Sequence, residues 1–201
     1  MSRRITLGLL LALGMSLAVS STGLARNTSS QSAQFVVTRY GDSPGGDIDV
    51  KTARTVPECK RACVATRGCR AFTFNGDDNK CWLKRAPGNK MRHLHLSDVR
   101  KKRKVYYGLR LKKRASGKLK ALRMSWAGST DRPGNDIQRI EQVPSRDICF
   151  ALCANHSSCK AVTYENISYA GPTTVKNGFC WLKRSAGRPK GAKSNKGSSK
   201  L

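Results

Sequence analysis

The five residues CWLKR occur twice in this chain of 201, at Cys81–Arg85 and again at Cys180–Arg184. Five residues seldom recur by chance at this length, and the likeness spreads outward from both copies. CWLKRAPG (Cys81–Gly88) matches CWLKRSAG (Cys180–Gly187), and CRAFTF (Cys69–Phe74) matches CKAVTY (Cys159–Tyr164). Cys59, Cys63 and Cys69 return ninety residues later as Cys149, Cys153 and Cys159, and PGGDI (Pro44–Ile48) returns as PGNDI (Pro133–Ile137). The CWLKR copies lie 99 residues apart, so the second unit holds nine extra residues, placed within 165–177. One domain has been duplicated.

Each unit reads alike. An extended stretch (34–40, or 119–126) leads to a Gly/Pro/Asp turn. A helix follows over 56–67, or 146–155. Thr55-Val-Pro-Glu58 has the form of a capping box, and Ser145 with Asp147 plays a similar part. Gly68 is a natural stop. A short strand (71–74, or 161–164) and a loop then lead to the strand CWL. The two helix cysteines lie at i and i+4, on one face. Four cysteines per unit allow three pairings. A bond within the helix is disfavoured because its side chains run parallel rather than toward each other, which leaves two. Cys69 lies within easy reach of Cys63 at the helix end, so Cys59 would meet Cys81. The second unit would pair Cys153–Cys159 and Cys149–Cys180. Each bond contributes about 2–4 kcal/mol by restricting the unfolded chain.

The chain starts with Arg3 and Arg4, an apolar run over 5–19 and small residues up to Ala25. This predicts a signal peptide, 1–25. The run is too short for a confident membrane span, so an exported protein, periplasmic or extracellular, without a transmembrane anchor after cleavage is expected. Eight cysteines, an even number, fit a disulfide framework in an oxidising compartment. Two small domains with modest apolar content need such covalent help. The net charge is +27, or about +25 once Arg3 and Arg4 are removed. That exceeds what solubility requires and points to anionic partners.

The order PGGD, C-x3-C-x5-C, AFTF or AVTY, then CWLK, written twice, resembles the PAN/Apple domain family in the small two-disulfide form common in bacterial exported proteins. The resemblance covers about 34–112 and 119–187. It implies an α+β fold: two tandem domains, each a curved antiparallel sheet with one helix pinned by two disulfides. Family members bind proteins or carbohydrates and occur in blood-clotting zymogens, a heparin-binding growth factor and parasite adhesins. The domain is not known as an enzyme, so a non-catalytic module without cofactor is implied. The expected division is a signal peptide (1–25), a first domain (26–112), a basic linker (113–118), a second domain (119–187) and a disordered basic tail (188–201). In the first unit Val105, Tyr107, Leu109 and Leu111 alternate as a closing strand would. The second unit ends in SAGRPKGAKSNKGSSKL, which reads as disordered. Its domain is expected to leave an open sheet edge or to pair across domains.

Twelve Lys and Arg, and no acid, lie between Arg100 and Arg123. Lys101, Lys102, Arg103, Lys104, Arg110, Lys112, Lys113 and Arg114 are the candidates for holding a polyanion, with affinity that falls as salt rises. RKKRK also has the look of a nucleic-acid patch, but a signal peptide makes nuclear use improbable, and no specific nucleic-acid recognition is expected. Extracellular DNA remains a candidate polyanion. The expected ligand is an anionic glycan or envelope polymer. The alternatives are apple-type protein recognition, through Trp82, Trp126, Trp181 or an open edge, and an accessory role beside a partner enzyme. His93 and His95 alternate but have no third ligand nearby, so no metal site is expected. Asp42, Asp47, Asp49, Asp131 and Asp136 sit in Gly/Pro turns, where Asp ordinarily caps backbone. No nucleophile elbow, phosphate loop or zinc-protease helix is present.

Overall fold

The computed structural model describes residues 33–86, 92–93, 103–168, 176–193 and 196–201. The predicted signal segment 1–25 and His95 lie outside them. The first repeat comprises β1 (Phe35–Arg39), β2 (Gly41–Asp42), β3 (Asp47–Thr52), α1 (Val56–Ala65), β4 (Ala71–Asn75), β5 (Lys80–Lys84), β6 (Arg92–His93) and β7 (Val105–Arg110). Helix α2 (Ala115–Met124) joins it to the second repeat. That repeat comprises β8 (Ala127–Gly128), β9 (Thr130–Asp131), β10 (Asp136–Val143), α3 (Arg146–Asn155), β11 (Ala161–Ser168), β12 (Lys176–Lys183), β13 (Lys190–Gly191) and β14 (Lys196–Lys200).

The main sheets run β1-β7-β4-β5-β3 and β8-β14-β11-β12-β10, antiparallel throughout. The CWLK strand, β5 or β12, is flanked on both sides in its sheet. In each repeat one helix is tied to that strand, by Cys59–Cys81 and by Cys149–Cys180, and to the chain just after itself, by Cys63–Cys69 and by Cys153–Cys159. The helix starts are capped locally. Thr55 Oγ1 accepts from the Glu58 N–H at 3.3 Å, and Ser145 Oγ accepts from the Ile148 N–H at 3.3 Å. The Glu58 carboxylate reaches back to the Arg54 N–H at 2.7 Å. Helix α1 ends at Ala65, two residues short of the expected limit, because Thr66 is already extended and Gly68 takes φ +85°.

Three expectations are corrected. The tail is a strand: β14 pairs with β11 and β8, and β13 pairs with β9. The second sheet therefore has its closing strand, in the place β7 holds in the first. KGSSK forms this strand through hydroxyls rather than apolar burial. Ser198 and Ser199 are fully buried. Ser199 Oγ donates to the Leu122 carbonyl and meets Ser125 Oγ at 2.8 Å, while Ser198 Oγ meets Thr130 Oγ1 at 2.7 Å. The stretch 119–126, expected to be extended, lies mostly in α2, and the basic linker 113–118 runs into that helix. Ala115, Leu119 and Leu122 are its buried face, with the spacing of a helix.

One core spans the two repeats, and a second lies under α1 in the first repeat, where Cys59, Cys63, Phe72, Phe74 and Leu83 meet. Val36, Tyr107, Leu109 and Leu111 of the first cluster with Leu119 and Leu122 of α2 and with α3. Helix α3 is buried continuously from Ile148 to Ala154, whereas α1 buries only Cys59 and Cys63. Where α1 has Lys60 and Arg61, α3 has Phe150 and Ala151. An all-round apolar helix is an enclosed one, and α3 packs against its own sheet, α2 and β1.

Two substitutions test this packing. Ser199→Ala should lower stability by about 1–3 kcal/mol, because it leaves the Leu122 carbonyl short of a donor. Urea unfolding of the oxidised protein measures it, and a loss within about 0.5 kcal/mol, as for a surface site, would refute the hydroxyl-held strand. Tyr107 is fully buried, and its hydroxyl has no partner among the described residues. Tyr107→Phe should therefore gain about 1 kcal/mol at neutral pH. Burial, and secondarily the Asp42 charge, push the Tyr107 pKa far above the ordinary tyrosine value. The folded state keeps this proton while the unfolded state loses it near pH 10, so stability should fall as pH rises above 10, less steeply in the Phe variant.

Candidate functional site

The turn and the CWLK strand meet in the same way in both repeats. In the first, Lys84 is 3% exposed and its Nζ lies 2.6 Å from Asp47 Oδ1 and 3.7 Å from Asp42. Thr73 Oγ1 donates to Asp42 Oδ1 at 2.5 Å, as does the Ser43 N–H at 2.7 Å. The Arg85 N–H closes the turn on the Gly46 carbonyl at 2.9 Å. In the second, Lys183 Nζ lies 2.5 Å from Asp136, Thr163 Oγ1 donates to Asp131 at 2.8 Å, and the Arg184 N–H reaches the Asn135 carbonyl at 2.8 Å. These aspartates thus do more than cap backbone: Asp47 and Asp136 each neutralise a buried ammonium. Burial works to raise the Asp131 pKa, but the Thr163 hydroxyl, Lys196, the Arg132 N–H and Lys183 outweigh it and hold the carboxyl below its usual value.

Beside each junction lies a cleft. The first, of about 370 Å³, is lined by Asp42, Asp47, Thr73, Asn75, Trp82 and Arg103, among others. The second, of about 500 Å³, includes Asp131, Glu165, Lys190, Lys193 and Lys196. Lys196 Nζ sits 3.6 Å from both Asp131 and Glu165 and 5.2 Å from the centre of the Trp181 ring. Sequence reasoning singled out the tryptophans but not these clefts. The signal was there in Thr73 and Thr163, which recur within AFTF and AVTY.

The basic candidates do not form one cluster. Arg103 and Lys104 are exposed before β7, and Lys112, Lys113 and Arg114 are exposed after it. The six residues of β7 separate the two groups by about 20 Å. Lys101 and Lys102 lie outside the described residues. Arg110 is half-buried, with Nη1 donating to the Cys69 carbonyl at 3.4 Å. Asn155 clamps the second group, accepting from the Lys112 N–H and donating to the Arg110 carbonyl, both at 2.9 Å. Arg114 is the N-cap of α2, which has no side-chain cap and no acid in its first turn. Among the described residues no group of His, Cys, Asp and Glu is arranged to hold a metal, and no helix is long and apolar enough to cross a membrane. Every cysteine is disulfide-bonded, which fits an extracellular or secreted protein.

One helix across an antiparallel sheet, two disulfides and a buried Lys–Asp turn, repeated in tandem, define a small disulfide-pinned α+β domain class. The family model described as PAN domain matches residues 41–84 and 130–183, and the chain carries two tandem domains of the PAN/Apple family. Such domains are typically binding modules for proteins or carbohydrates. Among solved structures, the solution ensemble of the two N-terminal apple domains of Toxoplasma gondii microneme protein 4 aligns at 19% identity with a TM-score of 0.45. The alignment covers 80% of this chain and 86% of that one. No curated protein matches the chain.

The buried lysines make an asymmetric prediction. Asp136→Asn leaves the Lys183 ammonium, 3% exposed, with neutral acceptors such as the Gly134 carbonyl at 3.3 Å in place of a carboxylate, and should cost about 3 kcal/mol. Lys183→Met only returns Asp136, 45% exposed, to water, and should cost less than half as much. Denaturant midpoints of the two variants decide it, and equal losses would show that the ion pair does not hold the turn.

Proposed function

We propose that this protein is an exported, non-catalytic binding module for an anionic carbohydrate or cell-envelope polymer, with the basic segment around α2 as its contact surface. The observation that carries this reading is the start of α2. Lys112, Lys113 and Arg114 stand exposed at an uncapped helix end with no acid in the first turn. Cations there oppose the positive end of the helix dipole, and an anionic polymer lying across them would relieve that repulsion. The cations stand on a fixed platform, since Ala115, Leu119 and Leu122 seat α2 in the core and Asn155 holds the approach. Arg103 and Lys104 stand exposed at the other end of β7 as a second basic group that a long chain would bridge. Domain tethering adds avidity where both groups engage one polymer. Protein recognition of the apple type is the alternative, with apolar contacts and little response to salt.

The test is binding of the oxidised chain to uronate-rich, sulfated and neutral polysaccharides and to DNA over a range of salt. Replacing Lys112, Lys113 and Arg114 together by Gln should weaken uronate or sulfated polymer binding about tenfold or more and flatten its salt dependence. Unchanged binding in the triple variant would refute this surface. Equal affinity for every polyanion, lost together in salt, would refute a specific glycan ligand.

A further inference from the structure

A separate cleft of about 590 Å³ lies on the α1 side of the first sheet, where the start of that helix meets β1, β4 and β7. Three cations from three separate segments line it: Arg54 before α1, Lys60 within it and Lys104 before β7. None of the three side chains has an ion pair among the described residues, and no acid lines the cleft. Glu58 and Asp77 adjoin it, but their carboxylates accept from the backbone N–H groups of Arg54, at 2.7 Å, and Lys104, at 3.5 Å. Tyr106 is half-buried in the lining and stacks on Phe74 with ring centres 6.2 Å apart.

The second repeat treats the same place differently. Tyr106 lies opposite Phe74, and Gly197 lies opposite Tyr164 in the matching register. Gly197 therefore holds the position of Tyr106, and Phe150 that of Lys60. There Trp126 packs against Phe150, its ring fills the space a Cβ on Gly197 would need, and the Arg146 guanidinium lies over it at 5.0 Å. That repeat covers the place with its own side chains. The first repeat brings cations to it instead: Arg54 stands for Pro144 and Lys60 for Phe150. Like charges gathered without a counter-charge repel one another, so the arrangement favours an anion.

Charge and shape select which anion. A carboxylate or a sulfate ester carries a single negative charge. A phosphate monoester carries about −1.5 to −2 at pH 7 and three strong acceptor oxygens, enough for all three cations. Tyr106 and Asn79 add a hydroxyl and an amide to the lining, and both can bond to sugar hydroxyls. We propose that this cleft, with Arg54, Lys60 and Lys104 around Tyr106, binds a phosphate monoester carried on a sugar, and that only the first repeat has such a site. The inference rests on the reading of the protein as a binder of anionic glycan or envelope polymer, and it names one group that polymer would carry.

The experiment is calorimetric titration of the full oxidised chain with glucose 6-phosphate, glucose 6-sulfate, glucose and inorganic phosphate at constant ionic strength. One site per chain is expected for glucose 6-phosphate, with each of the others bound at least about tenfold more weakly. Arg54→Gln and Lys60→Gln should each weaken glucose 6-phosphate about tenfold. Between pH 7 and pH 5 its affinity should fall about tenfold, because the phosphate regains a proton with a pKa of about 6. The sulfate ester stays ionised over that range and should not follow. Equal affinity for the sulfate ester or for inorganic phosphate, two sites per chain, or parent-like binding in both variants would overturn the proposal. Arg54 is exposed and Lys60 half-buried, so neither variant disturbs the core, and urea unfolding verifies that. Polysaccharide binding retained without glucose 6-phosphate binding overturns this site alone. Absence of all polysaccharide binding by the parent overturns the reading beneath it. The Lys112, Lys113 and Arg114 triple variant should bind glucose 6-phosphate as the parent does.

Discussion

The bond from the first helix cysteine to an inner strand of the sheet, Cys59–Cys81 in one repeat and Cys149–Cys180 in the other, fixes which way the strand faces. Side chains alternate along a strand. Once the cysteine points to the helix, the leucine two residues on must join it, and Leu83 and Leu182 are buried. The tryptophan and lysine between and after them go to the opposite face. There the lysine finds the turn aspartate, and the tryptophan forms the wall beside it. The arginine that ends the pentapeptide uses only its N–H, which closes the turn on Gly46 or Asn135. CWLKR is repeated because each position answers to a different partner, and a shift of one residue would send all of them to the wrong face.

That same alternation decides what the rest of the first sheet can do. On β7, Tyr106 packs toward the α1 side, while Tyr107 and Leu109 point the other way and meet α3 and α2. Gly108 has no side chain because the Phe72 ring fills the space a Cβ would need. The first sheet is thus covered on one face by its own helix and, at the β1–β7 side of the other, by the helix of its neighbour. The repeats are one packed body rather than two beads on a linker. The basic segment between them is consequently displayed on a rigid surface, which matters for a polymer ligand because less order has to be imposed on binding.

The cysteine spacing, the turn motifs and the helix caps made most of this fold legible, since each is a local constraint repeated twice. Two stretches were not. KGSSK carries no large apolar residue, so neither periodicity nor hydropathy marks it as a strand; its bonds come from Ser125, Thr130 and the Leu122 carbonyl, up to 77 residues away in sequence. LKALRMSW (119–126) falls where the first repeat has its extended start, although Ala115, Leu119 and Leu122 have helical spacing. The contrast of Lys60 and Arg61 with Phe150 and Ala151 was readable as a sign that only the second helix is enclosed. The run of twelve cations looked like one patch because sequence proximity hides the length of a strand. The clefts are not legible in the sequence, because their residues come from separated segments and converge only through sheet register.

Duplication supplies an internal comparison that a single domain lacks. Both repeats keep the Asp–Thr–Lys junction, which is what the fold requires, and differ at the residue facing the fourth strand position, Asn75 or Glu165, and at its partner, Val105 or Lys196. The change is coupled. A lysine placed beside Asn75 would have only Asp42, itself already near Lys84, whereas Glu165 and Asp131 together hold Lys196. Nor does Glu165 suit a cleft without that lysine, since two carboxylates would then face each other. The second cleft therefore satisfies its charges internally, through Lys196, Asp131 and Glu165, whereas Trp82 forms part of the wall of the first. Two domains that began alike have thus diverged, the second lending its helix to the core that spans both repeats, while the first keeps Val105 where the second has Lys196.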